Sequence, residues 1–141
     1  MKTTATVASS TGYPAYRQTM PCTAPSAAGA RRLVAAALAT WRLEELTDPA
    51  VLVVSELVGN AVRHTRSHRV LVVVARPAAG LVRIEVVDRS RALPVLHTPD
   101  PDAERGRGLL TVDAVATRWG SQPLPFGKRV WCELTHPDTQ Q

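Results

Sequence analysis

Four residues able to do chemistry, Glu56, Asn60, Arg63 and His64, sit within SELVGNAVRH (residues 55–64), a run otherwise rich in Val, Leu and Ala. A carboxylate can take a proton, a carboxamide oxygen can hold a hard cation, and Arg and His can hold an anion. At 100° per residue all four, with Gly59, share one sector of a helix, while Val54, Leu57, Val58 and Ala61 take the far side. Surface helices are polar over a broad face, so a narrow polar seam on an apolar cylinder addresses something other than bulk water. Glu56 stands beside Leu52 and Val53 and is expected to be partly buried, which is costly for a carboxylate without a partner.

Two further groups lie downstream. In LVRIEVVD, residues Val82, Ile84 and Val86 face one way and Arg83 and Glu85 the other, and the same parity carries Asp88 onto the apolar side at the strand's last position. A carboxylate there faces a pocket. The second group is Gly106-Arg107-Gly108, a glycine-rich turn before the helical pattern LLTVDAVATRW. Such a turn presents free amides and the positive end of a helix dipole, which suit a phosphate. Taken singly, each feature also has a structural reading. The glycines can make a plain turn, Asp88 can cap a loop, Glu56 can pair with Arg63, Arg107 can be a solvated loop residue, and His64 can pack at an edge.

The elements that position these residues follow from period and punctuation. Residues 1–25 are rich in Thr, Ser, Ala and Pro without an apolar period, which suggests a flexible arm or an irregular first strand. Ser26 offers an N-cap to AAGARRLVAAALATW, where Leu33, Ala36, Ala37 and Leu38 gather on one side. Thr47 and Asp48 before Pro49 signal the start of a second helix, running to about Thr65. HRVLVVVAR and LVRIEVVDRS read as strands joined by the turn PAAG. RALPVLHTPDPDAERGRG carries three prolines and no period, a loop of the length that covers a ligand. After the third helix, RWGSQ, the turn PLPFG and KRVWCELT form a terminal hairpin, and HPDTQQ is a tail.

A chain of 141 residues with 45% apolar content can bury one core as a single domain without metals or disulfides. Its net charge of +5 is nearly all arginine, scattered along the chain, with Lys2 and Lys128 the only lysines; nucleic-acid binders usually gather such charge into a stripe. No direct nucleic-acid or membrane partner is expected. Cys22 and Cys132 lack metal-ligand spacing and read as reduced thiols. The N-terminus has no continuous apolar core for a signal peptide and no run approaches the ~20 apolar residues of a membrane span, so a cytoplasmic location is expected. Neither a Walker sequence nor a protein-kinase glycine loop occurs.

In chain order the groups are a helix with Glu-x-x-x-Asn-x-x-x-His, a strand pair ending in Asp, a long loop, Gly-x-Gly, a helix and a hairpin. This order resembles the GHKL (Bergerat-fold) ATP-binding domains. The phrases SELVGNAVRH, ERGRGLLTVDAVATRWG and GKRVWCEL are similar to the small anti-sigma-factor, serine/threonine-protein kinase branch of Gram-positive bacteria, over roughly residues 25–135.

The resemblance implies that Asn60 holds Mg²⁺ and Glu56 acts as the catalytic base. It also implies that Asp88 accepts the adenine amino hydrogen and that Gly106, Gly108 and Leu109 open the phosphate site, with Arg107 adding a contact and Arg63 and His64 lining the phosphate side. Ser90 stands where the family has a glycine and offers a hydroxyl in its place, while Lys128 and Arg129 stand near the usual position of a threonine. The implied partners are a sigma factor and an anti-sigma antagonist, and the branch often forms homodimers.

The expected fold is a two-layer α/β (α+β) sandwich: a mixed, mostly antiparallel sheet with strands at 69–76, 81–88, 117–122 and 128–135, an N-terminal strand at most, and three helices on one face. Residues 26–135 form the ATP-binding domain, with an arm at 1–25 and a tail at 136–141. Three functions remain open at this point: a serine kinase acting on a sigma-factor switch, an ATP-binding regulatory module without turnover, and an interaction domain that uses no nucleotide.

Overall fold

The fold is that of a computed structural model describing residues 4–8, 13–64, 68–89 and 108–137. Strands β1 (Thr4–Ala8) and β2 (Pro14–Pro21) precede helix α1 (Ser26–Thr40), a 3-10 turn (Glu44–Leu46) and α2 (Thr47–His64). Then come β3 (Arg69–Ala78), β4 (Leu81–Asp88), α3 (Gly108–Val115), β5 (Arg118–Leu124) and β6 (Gly127–Thr135). The six strands lie in the order β1-β2-β3-β4-β6-β5, every neighbouring pair antiparallel. A layer of helices packs on one face, as the two-layer reading expects.

The sheet differs from the sequence reading in two ways. All described pairings are antiparallel rather than mixed, and the segment read as a flexible arm or an irregular first strand carries two strands. The Thr- and Pro-rich composition of β1 and β2 hides them, because an edge hairpin needs little apolar alternation. Their place is set by β3, against which β2 pairs from Ala15 opposite Ala75 to Pro21 opposite Arg69.

The core forms where the even-numbered positions of the strands meet the helices. Val70, Val72 and Val74 of β3, Val82, Ile84 and Val86 of β4, and Val130, Cys132 and Leu134 of β6 are all buried. Against them lie Val53, Val54, Leu57, Val58 and Ala61 of α2 and Ala30, Leu33, Val34, Ala37 and Leu38 of α1. Ala36, placed on the packed side by its spacing, is exposed.

Ser26 is not the N-cap of α1. Pro25 takes that place without a side-chain bond, and Ser26 is the first helical residue, its amide donating to the Thr23 carbonyl at 3.0 Å. At the other end Arg42 adopts φ 59°, and the Leu43 and Arg42 amides donate back to the carbonyls of Leu38 and Ala39. This is a Schellman closure with arginine in the left-handed position that usually takes glycine.

The opposite sheet face carries a charged lattice. Arg83 bonds Glu85 at 2.8 Å and Glu133 at 3.2 Å, and Arg118 reaches Glu133 from β5 at 2.8 Å. Arg129 Nε lies 3.1 Å from Glu85 as an ion pair, though its N–H is not aligned to donate. The guanidinium of Arg83 stacks over Trp131 with 4.3 Å to the ring centroid. Cross-strand neighbours of opposite charge stabilise a sheet where no second layer covers it.

Candidate functional site

Connectivity brings the chemistry-bearing residues to one end of the sheet. Helix α2 finishes at His64 and β3 starts at Arg69; β4 runs antiparallel to β3 and finishes at Asp88; β6 runs antiparallel to β4 and starts at Gly127. Helix α3 leads into β5, whose first residue, Arg118, pairs with Glu133 near the far end of β6, and α3 packs against α2, the helix that carries the polar seam. The end of α2, the start of β3, the end of β4 and the start of β6 thus lie toward one end of the sheet, while α3 packs on α2.

Glu56 is partly buried, as expected, one turn before Asn60. Among the described residues no ion pair joins it to Arg63, so the salt bridge that would have given it a structural role is not formed. Asn60 is only 6% exposed. Arg63 folds back along the helix over Gly59, where an added Cβ would stand 3.1 Å from its terminal nitrogen; the missing side chain makes that path open. Its Nε is buried and has no hydrogen-bond partner among the described residues. A buried donor without an acceptor is uncommon. His64, the last residue of α2, is exposed and takes part in interactions of its own.

Asp88 is 3% exposed and stands, as parity predicts, at the end of the core-facing row of Val82, Ile84 and Val86. Directly across the ladder is Lys128, at 1% exposure the largest fully buried side chain. The next residue, Arg129, points to the opposite face, where Glu85 and Gln122 hold it. Only Lys128 of the two therefore neighbours the carboxylate. Only glycine fits at 127 without a shift: a Cβ there would fall 1.9 Å from the Asp88 carbonyl oxygen and 2.6 Å from the Arg89 Cα.

Burial, and after it the Asp88 carboxylate, pushes the Cys22 thiol above its usual value, which places Cys22 within electrostatic reach of Asp88. Its amide donates to the His68 carbonyl at 2.9 Å, joining the end of β2 to the start of β3. Of the two neighbours of Asp88, the sequence reading places Lys128 near it and misses Cys22. Lys128 was legible, because the apolar parity of Val130, Cys132 and Leu134 extends back to it; the place of Cys22 depends on the β2 pairing, which no local pattern signals.

Ser90, Gly106, Arg107 and the loop expected to cover the site lie outside the described residues, as does the end of the tail. Gly108 opens α3 as expected, and Leu109 follows it in the helix, its side chain outside the description. Among the described residues no three His, Cys, Asp or Glu side chains gather as a metal cage, and no helix is long and apolar enough to cross a membrane.

A polar seam on α2 and a buried aspartate closing a core-facing strand, on an antiparallel sheet with helices on one face, are the features of an ATPase-type α/β sandwich. The model of the histidine kinase-like ATPase domain matches residues 20–124, more than half of the chain, and the chain belongs to that family of GHKL ATP-binding domains. The match begins within β2 and ends with β5, so β6 and Lys128 lie beyond it. No curated protein matches the chain.

Proposed function

We propose that the chain is an ATP-dependent regulatory protein that binds Mg-ATP at the Asp88 end of the sheet and switches a sigma factor or its antagonist by partner binding and serine phosphorylation in the cytoplasm. The observation that carries the reading is the orphaned Arg63 Nε on the Glu56–Asn60 seam, at the sheet end that also buries Asp88. An anion is what the first lacks, and a base with a donor edge is what the second accepts.

The roles follow from residue chemistry. Asp88 accepts the hydrogen of the base's exocyclic amine, and Ser90 adds a hydroxyl beside it. Arg63 holds phosphate oxygens with His64 at the rim, and Gly106, Arg107, Gly108 and Leu109 form the amide-rich approach to the α3 dipole. Asn60 offers one oxygen to Mg²⁺, which prefers few protein ligands and completes its shell with phosphates and water. When bound, ATP supplies a transferable γ-phosphoryl group. Glu56, partly buried one turn away, takes the proton from an incoming serine hydroxyl. Homodimerisation, common in the branch the sequence resembles, belongs to the same reading.

The test is a thermal melt with and without Mg-ATP, since a ligand that binds only the native state raises the midpoint. Mg-ATP is expected to raise the wild-type midpoint and to leave Asn60→Ala unmoved. Asn60 is buried, so the variant's own midpoint, expected to stay within a few degrees of wild type, checks that it folds. An unmoved wild type overturns nucleotide binding. Transfer of labelled phosphate to a serine-containing antagonist, abolished in Glu56→Ala, tests the kinase step; a midpoint rise without transfer leaves an ATP-binding module alone.

A further inference from the structure

Gly59 stands in the interior of α2, where a glycine is unfavourable relative to alanine because its backbone loses more freedom on folding. The backbone does not ask for it, being ordinary α-helix rather than the left-handed conformation that favours glycine. Among the described residues, a Cβ built there would meet only one side chain within 4 Å: the Arg63 guanidinium, its terminal nitrogen at 3.1 Å and its central carbon at 3.9 Å. The glycine therefore answers to Arg63 and to no neighbouring element. Long helical side chains lean toward the preceding turn, so the Arg63 head group lies on the turn that carries Asn60 and next to the one that carries Glu56. At 100° per residue, Glu56, Asn60 and Arg63 leave α2 within about 60° of one another. Arg63 uses no donor there: its side chain makes no hydrogen bond or ion pair with a described residue, and its Nε is buried.

We propose that Gly59 is a positioning residue of the phosphate end: it leaves room for the Arg63 guanidinium to lie against α2 beside Asn60 and Glu56, where that cation makes the site prefer nucleoside triphosphates to diphosphates. The proposal rests on the nucleotide-binding reading and deepens it. A guanidinium is planar, always charged and donor-only, and its fork matches two oxygens of one phosphate. Held against the helix before a ligand arrives, it loses less freedom on binding. In the proposed site Asn60 faces Mg²⁺ and Glu56 faces the incoming hydroxyl, and both act at the terminal phosphoryl group. The cation beside them meets oxygens that ATP carries and ADP lacks. A large side chain at 59 lifts the guanidinium off the helix, so the phosphate contact is lost while helix propensity improves. Stability and nucleotide preference then move in opposite directions, which a glycine kept only for packing does not produce.

Titration calorimetry of the full chain with Mg-ATP and Mg-ADP, beside thermal melts without nucleotide, tests this. Wild type is expected to bind ATP at least about tenfold more tightly than ADP, the size of one charge-assisted contact, and Arg63→Ala to bring the ratio within about threefold. Gly59→Leu, too large to share the space, should erase the preference to the same extent while its melting midpoint stays at or above that of wild type. Gly59→Ala, which asks the guanidinium to give by only a few tenths of an ångström, should reduce the preference less. Gly59→Leu combined with Arg63→Ala should match Arg63→Ala alone, because the glycine acts only through the arginine. Equal wild-type affinities for ATP and ADP, an unchanged preference in Gly59→Leu, or a double variant weaker than Arg63→Ala overturns the proposal; the last means that leucine obstructs the site itself. If Gly59→Leu does not fold, the ratio in Gly59→Ala decides, expected between those of wild type and Arg63→Ala and overturning the proposal if it equals wild type. Wild type that binds neither nucleotide overturns the nucleotide reading and this role with it; binding of both without preference overturns only this role.

Discussion

At the scale of single residues, Asp88 and Lys128 face each other across the β4–β6 ladder at 3% and 1% exposure, so an Asp–Lys couple there is expected to be mutually stabilising. Removing one member of a buried charged couple leaves the second desolvated without compensation, whereas replacing both by apolar groups is close to neutral. Asp88→Ala should therefore lower stability by about 3 kcal/mol, and Asp88→Ala with Lys128→Met should recover most of it. Urea unfolding of the two single variants and the double closes the cycle. Additive losses would show that the groups do not interact. ATP binding should remain weak in the double variant even as stability returns, which separates a folding role of the carboxylate from its role at the base.

At the scale of elements, the β5–β6 hairpin carries Lys128 to Asp88, and β6 approaches β4 closely at Gly127. An alanine Cβ 1.9 Å from the Asp88 carbonyl oxygen meets backbone rather than a movable side chain, so one strand must shift. Gly127→Ala is expected to cost about 2–3 kcal/mol by overpacking and to weaken nucleotide binding by displacing Asp88 and Lys128. Denaturant melts and ATP titration check both effects; a variant of wild-type stability would mean that the strands are not clamped.

Elements also show how much the sequence discloses. β3, β4 and α2 carry strong apolar periods and form within a few residues of the expected positions. Ser26 misleads because a capping residue type names a neighbourhood rather than a position, and Arg42 ends α1 in a conformation that no glycine announces. The seam from Glu56 to His64 and the parity of Asp88 are legible because period alone decides which way a side chain points. The place of Cys22 is not so readily seen, since the pairing of β2 with β3 joins residues far apart in the chain.

At the scale of the whole molecule, the two thiols report on different openings of one fold. Cys132 lies in the core layer of β6 at 0% exposure, and its thiol is pushed up to about 12, chiefly by burial and against the opposing pull of a hydrogen bond from the Ile84 backbone. The folded value exceeds the unfolded 9.0, so this group contributes full stability below about pH 9, and the contribution is lost as pH rises from there through about 12. Near neutral pH, reagent reaches Cys132 only through global unfolding, and its labelling rate follows the unfolded population. Cys22, half-buried at the junction of β2 and β3, labels through local opening and should react first. Saturating Mg-ATP at about a hundred times its dissociation constant adds about 2.7 kcal/mol to the native state, which slows Cys132 labelling by about a hundredfold. Mass spectrometry of the two cysteine peptides over time reads both rates in one experiment. Slowing at Cys132 that follows ATP concentration with the Kd from calorimetry ties the nucleotide to the entire fold; an unchanged Cys132 rate at saturating ATP means that the ligand does not distinguish the native state from the unfolded one.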